Sequence, residues 1–253
     1  MATTGAGLRR IYRLLLVRYG PQGWWPLASR AGSRGFDGRG YHPGDFAEPK
    51  TPEGKFEVCV GAILTQSTSW VNVEKALRNL AGAGLLSPTG IALTPATKLS
   101  ALIRPTLYHN VKARKLKTFT DFIHDKFNGD VGKLLALPTE ELRPRLLSVW
   151  GVGPETADSI ILYAAHEPSF VVDAYTKRIF GRLGYLKGNE SYDEIKKIFE
   201  KNLPHSPLLY NEFHALIVEH AKRHCRRQPA CGGCPLAQLC PSTRLFELVD
   251  DKS

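Results

Sequence analysis

Four of the five cysteines in this 253-residue chain fall within one short segment. Their spacing is C-x5-C-x2-C-x5-C, and they are Cys225, Cys231, Cys234 and Cys240. Four thiolates on one loop can converge on a single centre, because the chain between them can wrap around a metal ion or an iron–sulfur cluster. Structural zinc usually uses two C-x2–4-C pairs, and only Cys231 and Cys234 form one here. Spacing alone therefore leaves zinc and a [4Fe–4S] cluster as open alternatives.

A glycine turn between two helical patterns is a second candidate site. Gly151 and Gly153 flank Val152, and Pro154 begins the next helical pattern. Glycine allows backbone conformations that other residues avoid, and such a turn leaves amide N–H groups bare at a helix start, where phosphate binds. Many helix hairpins with this turn bind nothing, so the motif gains meaning only from its surroundings.

Asp173 lies one helix later, directly after the apolar run Phe170–Val172. An aspartate at this place is commonly a helix N-cap. The N-terminus of a helix also favours the ionised carboxylate, and an anion is what a cationic transition state needs. The N-cap and the catalytic interpretations of Asp173 are compatible.

Together these motifs resemble the helix-hairpin-helix DNA glycosylases of the endonuclease III superfamily, from about residue 55 to residue 241. The resemblance implies an all-α fold with a six-helix barrel domain and a second helical domain that carries a [4Fe–4S] cluster, with the active site in the cleft between them. It favours iron–sulfur over zinc for the four cysteines. One departure is the first cysteine spacing, which is x5 where the family usually has x6.

The resemblance also implies roles for individual residues. Asp173 is the catalytic carboxylate, which stabilises the sugar cation that forms when a flipped base leaves. The position of the lysine that makes some relatives strand-cleaving lyases is Glu155 here. A carboxylate cannot form a Schiff base, so we predict a monofunctional glycosylase. The expected DNA contacts are Gly151, Val152, Gly153, Thr156, Gln66, Lys112 and Arg178.

An N-terminal Trp-Trp-Pro block resembles the 3-methyladenine DNA glycosylase III branch of the superfamily. Large indole faces suit a cationic alkylated purine, although they could equally be core packing. The base-pocket residues that we expect are Trp24, Trp25, Trp70 and Glu155. The alternatives are a uracil or mismatched-thymine glycosylase and, in a different class, a DNA-structure-binding iron–sulfur protein without catalysis.

The elements that must position these residues are helical throughout. Apolar periodicity predicts ten helices, at about 5–18, 55–65, 70–83, 96–103, 110–128, 139–148, 155–166, 174–184, 191–202 and 207–224. We expect four segments: 1–26, the N-terminal helix and Trp-Trp-Pro block of the cluster domain; 27–54, a Gly/Pro-rich inserted loop; 55–168, the barrel, with the hairpin at about 139–166; and 169–253, the C-terminal helices and the cluster loop 225–240.

The net charge of +10 is clustered in three basic islands. They lie in residues 1–36, in residues 104–117, and in a group from Lys222 to Arg227. Such islands are typical of phosphate contacts, although each could be a solvated helix face. We expect the partner to be double-stranded DNA with a damaged or mispaired base, bound by a monomer.

The first residues raise the question of targeting. The arginine-rich, acid-free start resembles an organellar transit peptide, but the helical spacing of Leu8, Ile11 and Leu15 suits a packed helix. No apolar run approaches the length that spans a bilayer. We therefore expect a cytoplasmic, nucleoid-associated protein with no membrane partner and no organellar targeting.

Overall fold

The computed structural model describes residues 4–243, and the regular structure in that range is helical, without a β-strand. The all-α class is therefore confirmed. No helix in the described range is long and apolar enough to cross a membrane. Twelve α-helices lie wholly within it: α1 Thr4–Tyr19, α2 Pro52–Leu64, α3 Trp70–Gly82, α4 Pro88–Leu93, α5 Ala96–Leu102, α6 His109–Phe127, α7 Val131–Leu135, α8 Thr139–Leu147, α9 Pro154–Tyr163, α10 Ala174–Arg182, α11 Tyr192–Asn202 and α12 Pro207–Arg223.

All ten predicted helices are present, and α4 and α7 are additional. These two helices are six and five residues long, too short to show an apolar period. Each begins at a side-chain cap: Ser87 accepts from the Gly90 amide, and Asp130 accepts from the Lys133 amide. Local capping therefore stabilises short turns that periodicity cannot reveal.

The described chain separates into two compact units. Unit 1 comprises residues 4–22 and 168–243, and unit 2 comprises residues 23–167. Residues 244–253 of the expected C-terminal segment lie outside the described range. Unit 2 contains α2 to α9, eight helices where six were expected, because α4 and α7 are added to the predicted set.

Unit 2 is built around α2. This helix contacts α3, α6, α7 and α9. Every residue from Phe56 to Leu64 is buried, which is the pattern of a helix covered on all sides. Thr51 caps its N-terminus by accepting from the Gly54 amide. Because α2 is covered on all sides, its C-terminal end lies inside unit 2, and the segment that carries Gln66 follows directly.

Unit 1 is built around α12, which contacts α1 and α10. Helix α1 buries Leu8, Ile11 and Leu15, as its spacing predicts. The rings of Phe170 and Phe199 stack with their centroids 4.0 Å apart. This aromatic packing lies just ahead of Asp173 in the chain and fixes the start of α10.

The Trp-Trp-Pro block lies in a different unit from the one expected. It belongs to unit 2, whereas the N-terminal helix α1 belongs to unit 1. Trp25 is buried there, with its ring centroid 5.1 Å from that of Tyr163 in α9. Residues 27–54, which we call the strap, form a loop as predicted as far as Thr51, with one 3-10 turn at Ala28–Arg30, and residues 52–54 are the first turn of α2. Several strap residues are buried, among them His42 and Glu48, so the strap is a folded part of unit 2.

Candidate functional site

Asp173 caps α10 through one of its two carboxylate oxygens. Oδ1 accepts from the Thr176 backbone amide at 2.7 Å and from the Thr176 hydroxyl at 2.8 Å. The apolar run Phe170–Val172 before it is buried, and Asp173 itself is 8% exposed. The prediction that Asp173 is an N-cap is thus confirmed, and capping uses only Oδ1.

The second oxygen of Asp173 faces α12. Nε2 of His214 lies 3.6 Å from Oδ2, beyond ordinary hydrogen-bond length. Burial raises the pKa of the Asp173 carboxyl, but His214 and the two donors of Thr176 together outweigh burial and hold that pKa below its usual value. The site therefore presents a buried carboxylate that stays ionised at neutral pH.

The hairpin turn in unit 2 joins α8 to α9. Gly151 has a φ of +90°, and a Cβ there would lie 2.5 Å from Cγ of Lys115. Gly153 is the exposed N-cap of α9 and offers no side-chain cap. Among the described residues, the amides of Gly151 and Gly153 have no protein acceptor. The amide of Val152 donates to the Val149 carbonyl at 3.0 Å, so the expectation that Val152 offers a bare amide is wrong.

Gln66 and Thr156 meet behind this turn. Nε2 of Gln66 donates to the Gly151 carbonyl and to the Thr156 hydroxyl, each at 2.9 Å. Nζ of Lys115 donates to Oε1 of Gln66. Gln66, expected to enter DNA, is therefore bonded to the hairpin in the free protein and links the end of α2 to it.

Lys112 does not lie at a DNA-facing surface. It is 2% exposed, and its Nζ donates to the carbonyl of Leu64, the last residue of α2, at 2.9 Å. Burial, with a contribution from Lys115, lowers the pKa of the Lys112 ammonium to about 8. Lys112 stabilises a helix C-terminus, so the sequence-based DNA contact is corrected.

The tryptophans form one aromatic cluster in unit 2. The Trp25 ring centroid lies 5.3 Å from that of Trp70, edge to face, and 5.8 Å from that of Trp24. Trp25 is 4% exposed, and Trp24 and Trp70 are half-buried. The indole N–H groups of Trp25 and Trp70 are buried without an acceptor among the described residues. Glu155, also expected here, is exposed in the first turn of α9.

The four cysteines of the loop line one small cavity in unit 1, of about 30 Å³. None of them is in a disulfide. Among the described residues, no three His, Cys, Asp or Glu side chains converge closely enough to hold a metal ion. A zinc ion draws its sulfur ligands to about 2.3 Å from one centre, whereas the corners of a cluster lie further apart. Four thiols around one cavity are a ligand set that both zinc and an iron–sulfur cluster accept.

Donors from unit 1 surround these thiols. The guanidinium of Arg182 donates to Sγ of Cys225 at 3.2 Å, and Nε2 of His220 lies 3.9 Å from Sγ of Cys234. Arg178, expected to contact DNA, instead donates from Nε to the Cys225 carbonyl at 2.8 Å. Arg178 therefore fixes the first turn of the cysteine loop through Nε, and its expected contact with DNA stays a prediction.

Several residues of these sites were not found by sequence reasoning. His214 and Thr176 flank Asp173, and Tyr163 completes the aromatic cluster. Thr176 could have been identified from its N3 position after an aspartate cap. His214 and Tyr163 lie on long apolar helices, where nothing in the spacing separates a site residue from a core residue.

Comparisons with known proteins agree with this geometry. Residues 60–205 match the family described as "HhH-GPD superfamily base excision DNA repair protein". The chain is 46% identical to the "Putative DNA repair glycosylase MJ1434" of Methanocaldococcus jannaschii, over 92% of this chain and 95% of that protein.

Two solved structures are also similar. A 3-methyladenine DNA glycosylase of H. pylori (MagIII), bound to 1,N6-ethenoadenine, is 25% identical with a TM-score of 0.64, covering 88% of this chain and 98% of the other. An endonuclease III–DNA covalent intermediate is 22% identical with a TM-score of 0.74, covering 96% and 98%, which supports the shared fold.

Proposed function

This chain belongs to the HhH-GPD superfamily of base excision DNA repair proteins, and we propose that it is a monofunctional DNA glycosylase that removes alkylated purines. The observation that carries the proposal is Asp173, a buried carboxylate with a lowered pKa and one oxygen outside the helix cap. A structural cap needs only Oδ1. The charge held at Oδ2 has no part in the capping of α10.

Hydrolysis of a base–sugar bond develops positive charge on the sugar ring. A fixed carboxylate stabilises that charge, and it can orient or activate the attacking water. Thr176 fixes Oδ1, and His214 lies beside Oδ2. The carboxylate of Asp173 is therefore preorganised and needs little rearrangement as positive charge develops on the sugar. Desolvation strengthens the interaction between Asp173 and the developing cation.

The hairpin supplies a phosphate site. The amides of Gly151 and Gly153 are unpaired within unit 2 and lie at the N-terminal end of α9, where the helix dipole is positive. Gln66 holds the Gly151 carbonyl from behind, which fixes the direction of the turn. Two amides and a helix end together suit one phosphate of the strand that carries the target nucleotide.

The aromatic cluster supports the choice of an alkylated purine. Indole faces attract electron-poor cationic rings, which N-alkylated purines are and which neutral pyrimidines are not. The two unpaired indole N–H groups of Trp25 and Trp70 are donors that could meet acceptors on a base edge. The similarity to the structure of a 3-methyladenine DNA glycosylase supports the same substrate class.

The residue type in the first turn of α9 supports the monofunctional assignment. Glu155 occupies the position before Thr156, and an acid there cannot form a Schiff base. In the described range, the lysine whose pKa is clearly lowered is Lys112, and its Nζ is buried on the Leu64 carbonyl. The product is then an intact abasic site.

The four cysteines are proposed to hold a [4Fe–4S] cluster. They line one cavity, and Arg182 supplies a donor to one of the sulfurs, as outer partners of such clusters do. The cluster, when bound, supplies a covalent core around which the loop folds. The hydrolysis itself is carried by Asp173 and its neighbours.

The decisive experiment is mass spectrometry of the bases released from methylated, deaminated and oxidised duplex DNA. We expect methylated purines from the native protein and, in Asp173→Asn, a loss of at least 100-fold in rate with duplex binding retained, since Asn also caps a helix. Asp130→Asn is the matched control, because it changes another capping aspartate, that of α7.

Two results would contradict the proposal. Release by Asp173→Asn at the native rate would remove the catalytic role of this carboxylate. Products dominated by uracil or thymine would replace the alkylated purine with a deaminated or mismatched base.

A further inference from the structure

The hairpin turn carries an exposed aromatic ring. Trp150 lies between α8 and α9, directly before Gly151, and is 47% exposed. Its neighbours Val149 and Val152 are buried and anchor the turn in unit 2. Because the two valines anchor the turn, the outward indole is available for a contact with a ligand.

Arg114 of α6 covers one face of this ring. The guanidinium carbon Cζ of Arg114 lies 4.5 Å from the ring centroid of Trp150. In the described range, the exposed guanidinium of Arg114 has no carboxylate partner and no hydrogen-bond acceptor. The cation–π contact thus holds the guanidinium in one place while its N–H donors stay available.

The same helix touches the turn at the next residue. A Cβ at Gly151 would lie 2.5 Å from Cγ of Lys115, and Nζ of Lys115 donates to Oε1 of Gln66. Two successive residues of α6 therefore lie against two successive residues of the turn. The guanidinium of Arg114 is thereby fixed beside the turn whose Gly151 and Gly153 amides have no acceptor in the described range.

This arrangement suits the backbone of a DNA strand. The backbone alternates apolar sugar faces with anionic phosphates, which follow one another every ~3.4 Å of helix axis. The turn offers two amides and a guanidinium for phosphates, with an indole ring beside them for a sugar. A guanidinium matches a phosphate because its parallel N–H groups bind two oxygens at once. Val111, one turn before Arg114 in α6, is 46% exposed and extends the apolar surface.

We propose that Trp150 and Arg114 form a second contact with the DNA backbone beside the hairpin amides. Trp150 packs against a deoxyribose and positions Arg114, which binds the phosphate next to the one on Gly151 and Gly153. The inference rests on the proposed phosphate site of the hairpin and goes beyond it by adding a side-chain ligand. Neither side chain touches the target base, so the contact serves damaged and undamaged duplex alike.

A double-mutant cycle on duplex affinity is the first test. Fluorescence anisotropy with an undamaged duplex should show binding about three- to tenfold weaker in Trp150→Leu and in Arg114→Met. The double variant should be no more than about twofold weaker than either single variant, because both changes remove one shared contact. Trp150→Phe keeps an aromatic face and should recover most of the affinity that Trp150→Leu loses. Native affinity in Trp150→Leu, or fully additive losses in the double variant, would overturn the inference.

Two controls remove comparable groups from other exposed places in unit 2. Leu93→Ala removes an exposed apolar side chain at the end of α4, and Lys98→Met removes one positive charge from α5. Both variants should bind duplex as the native protein does. Urea unfolding of every variant separates binding from folding. A pair that only covers the turn would lower the unfolding free energy when changed and leave the affinity as it is, which counts against the inference.

The second test reads the indole directly. Trp150 is the most exposed of the four tryptophans, so its emission should lie at the longest wavelengths and be quenched most by acrylamide. Saturating undamaged duplex should protect that emission in the native protein, and Trp150→Phe should lack the protected component. Quenching that the duplex leaves unchanged would show that the ring does not meet DNA.

A single strand of the same length separates a sugar contact from base stacking. The bases of a single strand are free to stack on aromatic rings, whereas the paired bases of a duplex are not. Trp150→Leu should therefore lose at least as much affinity for the duplex as for the single strand. A loss confined to the single strand would replace the deoxyribose with an unpaired base and overturn the assignment.

These outcomes are distinguishable from failure of the proposed function. If the cycle behaves as expected but the native protein releases no base from any duplex, the glycosylase proposal fails and the backbone contact remains. If bases are released while Trp150→Leu and Arg114→Met bind duplex like the native protein, the inference alone fails. Should Trp150→Leu not fold, the affinity of Arg114→Met and the acrylamide measurement on the native protein decide.

Discussion

Asp173 divides its two oxygens between folding and charge. Oδ1 satisfies two donors of Thr176, which any capping aspartate could do, while Oδ2 is held near a histidine in a desolvated place. A carboxylate used only as a cap gains little from that second environment. At the scale of single residues, a catalytic candidate is thus recognised by the charged atoms that its structural hydrogen bonds do not use.

A lysine at position 155 should allow the protein to form a covalent Schiff base with DNA. Glu155→Lys places an exposed amine in the first turn of α9, at the position to which the sequence resemblance assigns the lysine of lyase relatives. We expect borohydride to trap a covalent protein–DNA adduct in this variant and none in the native protein, because only an amine forms a Schiff base. Substantial trapping with the native chain would refute the monofunctional assignment.

Glu212 should make stability depend on pH. Burial raises the pKa of its carboxyl to about 7, against the lowering by the Gln22 amide that donates to Oε1 at 2.8 Å. The folded protein keeps this proton between pH 4.5 and pH 7 while the unfolded chain loses it, so stability falls as the pH rises through that window.

Glu212→Gln keeps the acceptor for Gln22 and removes the ionisation. Its unfolding free energy at pH 8 should exceed that of the native protein by about 1–2 kcal/mol, and the gain should shrink towards pH 5. Urea unfolding at both pH values measures it, with the exposed Glu167→Gln as control. A gain of equal size at pH 5 and pH 8 would show that ionisation is not its cause.

At the scale of elements, the hairpin depends on Gly151. Gly151→Ala combines a positive φ with a Cβ placed against the Lys115 side chain, which is itself bonded to Gln66. We expect a loss of about 1–3 kcal/mol in unfolding free energy and weaker duplex binding. Gly82→Ala, at an exposed helix end with open space, is the control and should be neutral or slightly stabilising. Equal effects of the two substitutions would contradict the role of the turn.

The positions of the helices could be predicted from the sequence, but the hydrogen-bond partners of individual side chains could not. Apolar spacing located α1, α3 and α11, because burial on one face imposes a period that a single chain reveals. Lys112 was placed on DNA from its neighbours in the chain, whereas its ammonium reaches the end of α2, 48 residues away. Nothing in the sequence indicated the contacts of His42, since the Asp45 and Trp25 carbonyls that its ring contacts lie in loops whose path no pattern specifies.

At the scale of the whole molecule, the residues of a basic island do not all have the same role, and some of them form hydrogen bonds within the protein. In the island at 104–117, Lys112, Lys115 and Lys117 all donate to acceptors inside unit 2, whereas Arg114 is exposed and lies over the Trp150 ring at 4.5 Å. Lys117 donates to the Ala92 and Thr94 carbonyls at the end of α4. Much of this island therefore stabilises helix ends.

Salt dependence should separate these two uses of positive charge. In a plot of log binding constant against log salt for a duplex, Arg114→Met should reduce the slope by about 1, as loss of a phosphate contact does, while Lys117→Met should leave it unchanged. Fluorescence anisotropy between 50 and 300 mM salt, roughly the range where such slopes are linear, would measure both. A reduced slope in Lys117→Met would place that ammonium on DNA.

The division of unit 1 between residues 4–22 and residues 168–243 has a consequence for biosynthesis. Unit 2 is continuous in the chain, so it can fold while the ribosome is still translating the remainder. Helix α1 is made before unit 2, yet its partners α11 and α12 are made after unit 2, and until then Leu8, Ile11 and Leu15 lack the helices that cover them. The nascent chain thus carries an uncovered, arginine-rich amphipathic helix while unit 2 is being made, which is the state in which a chaperone would meet it.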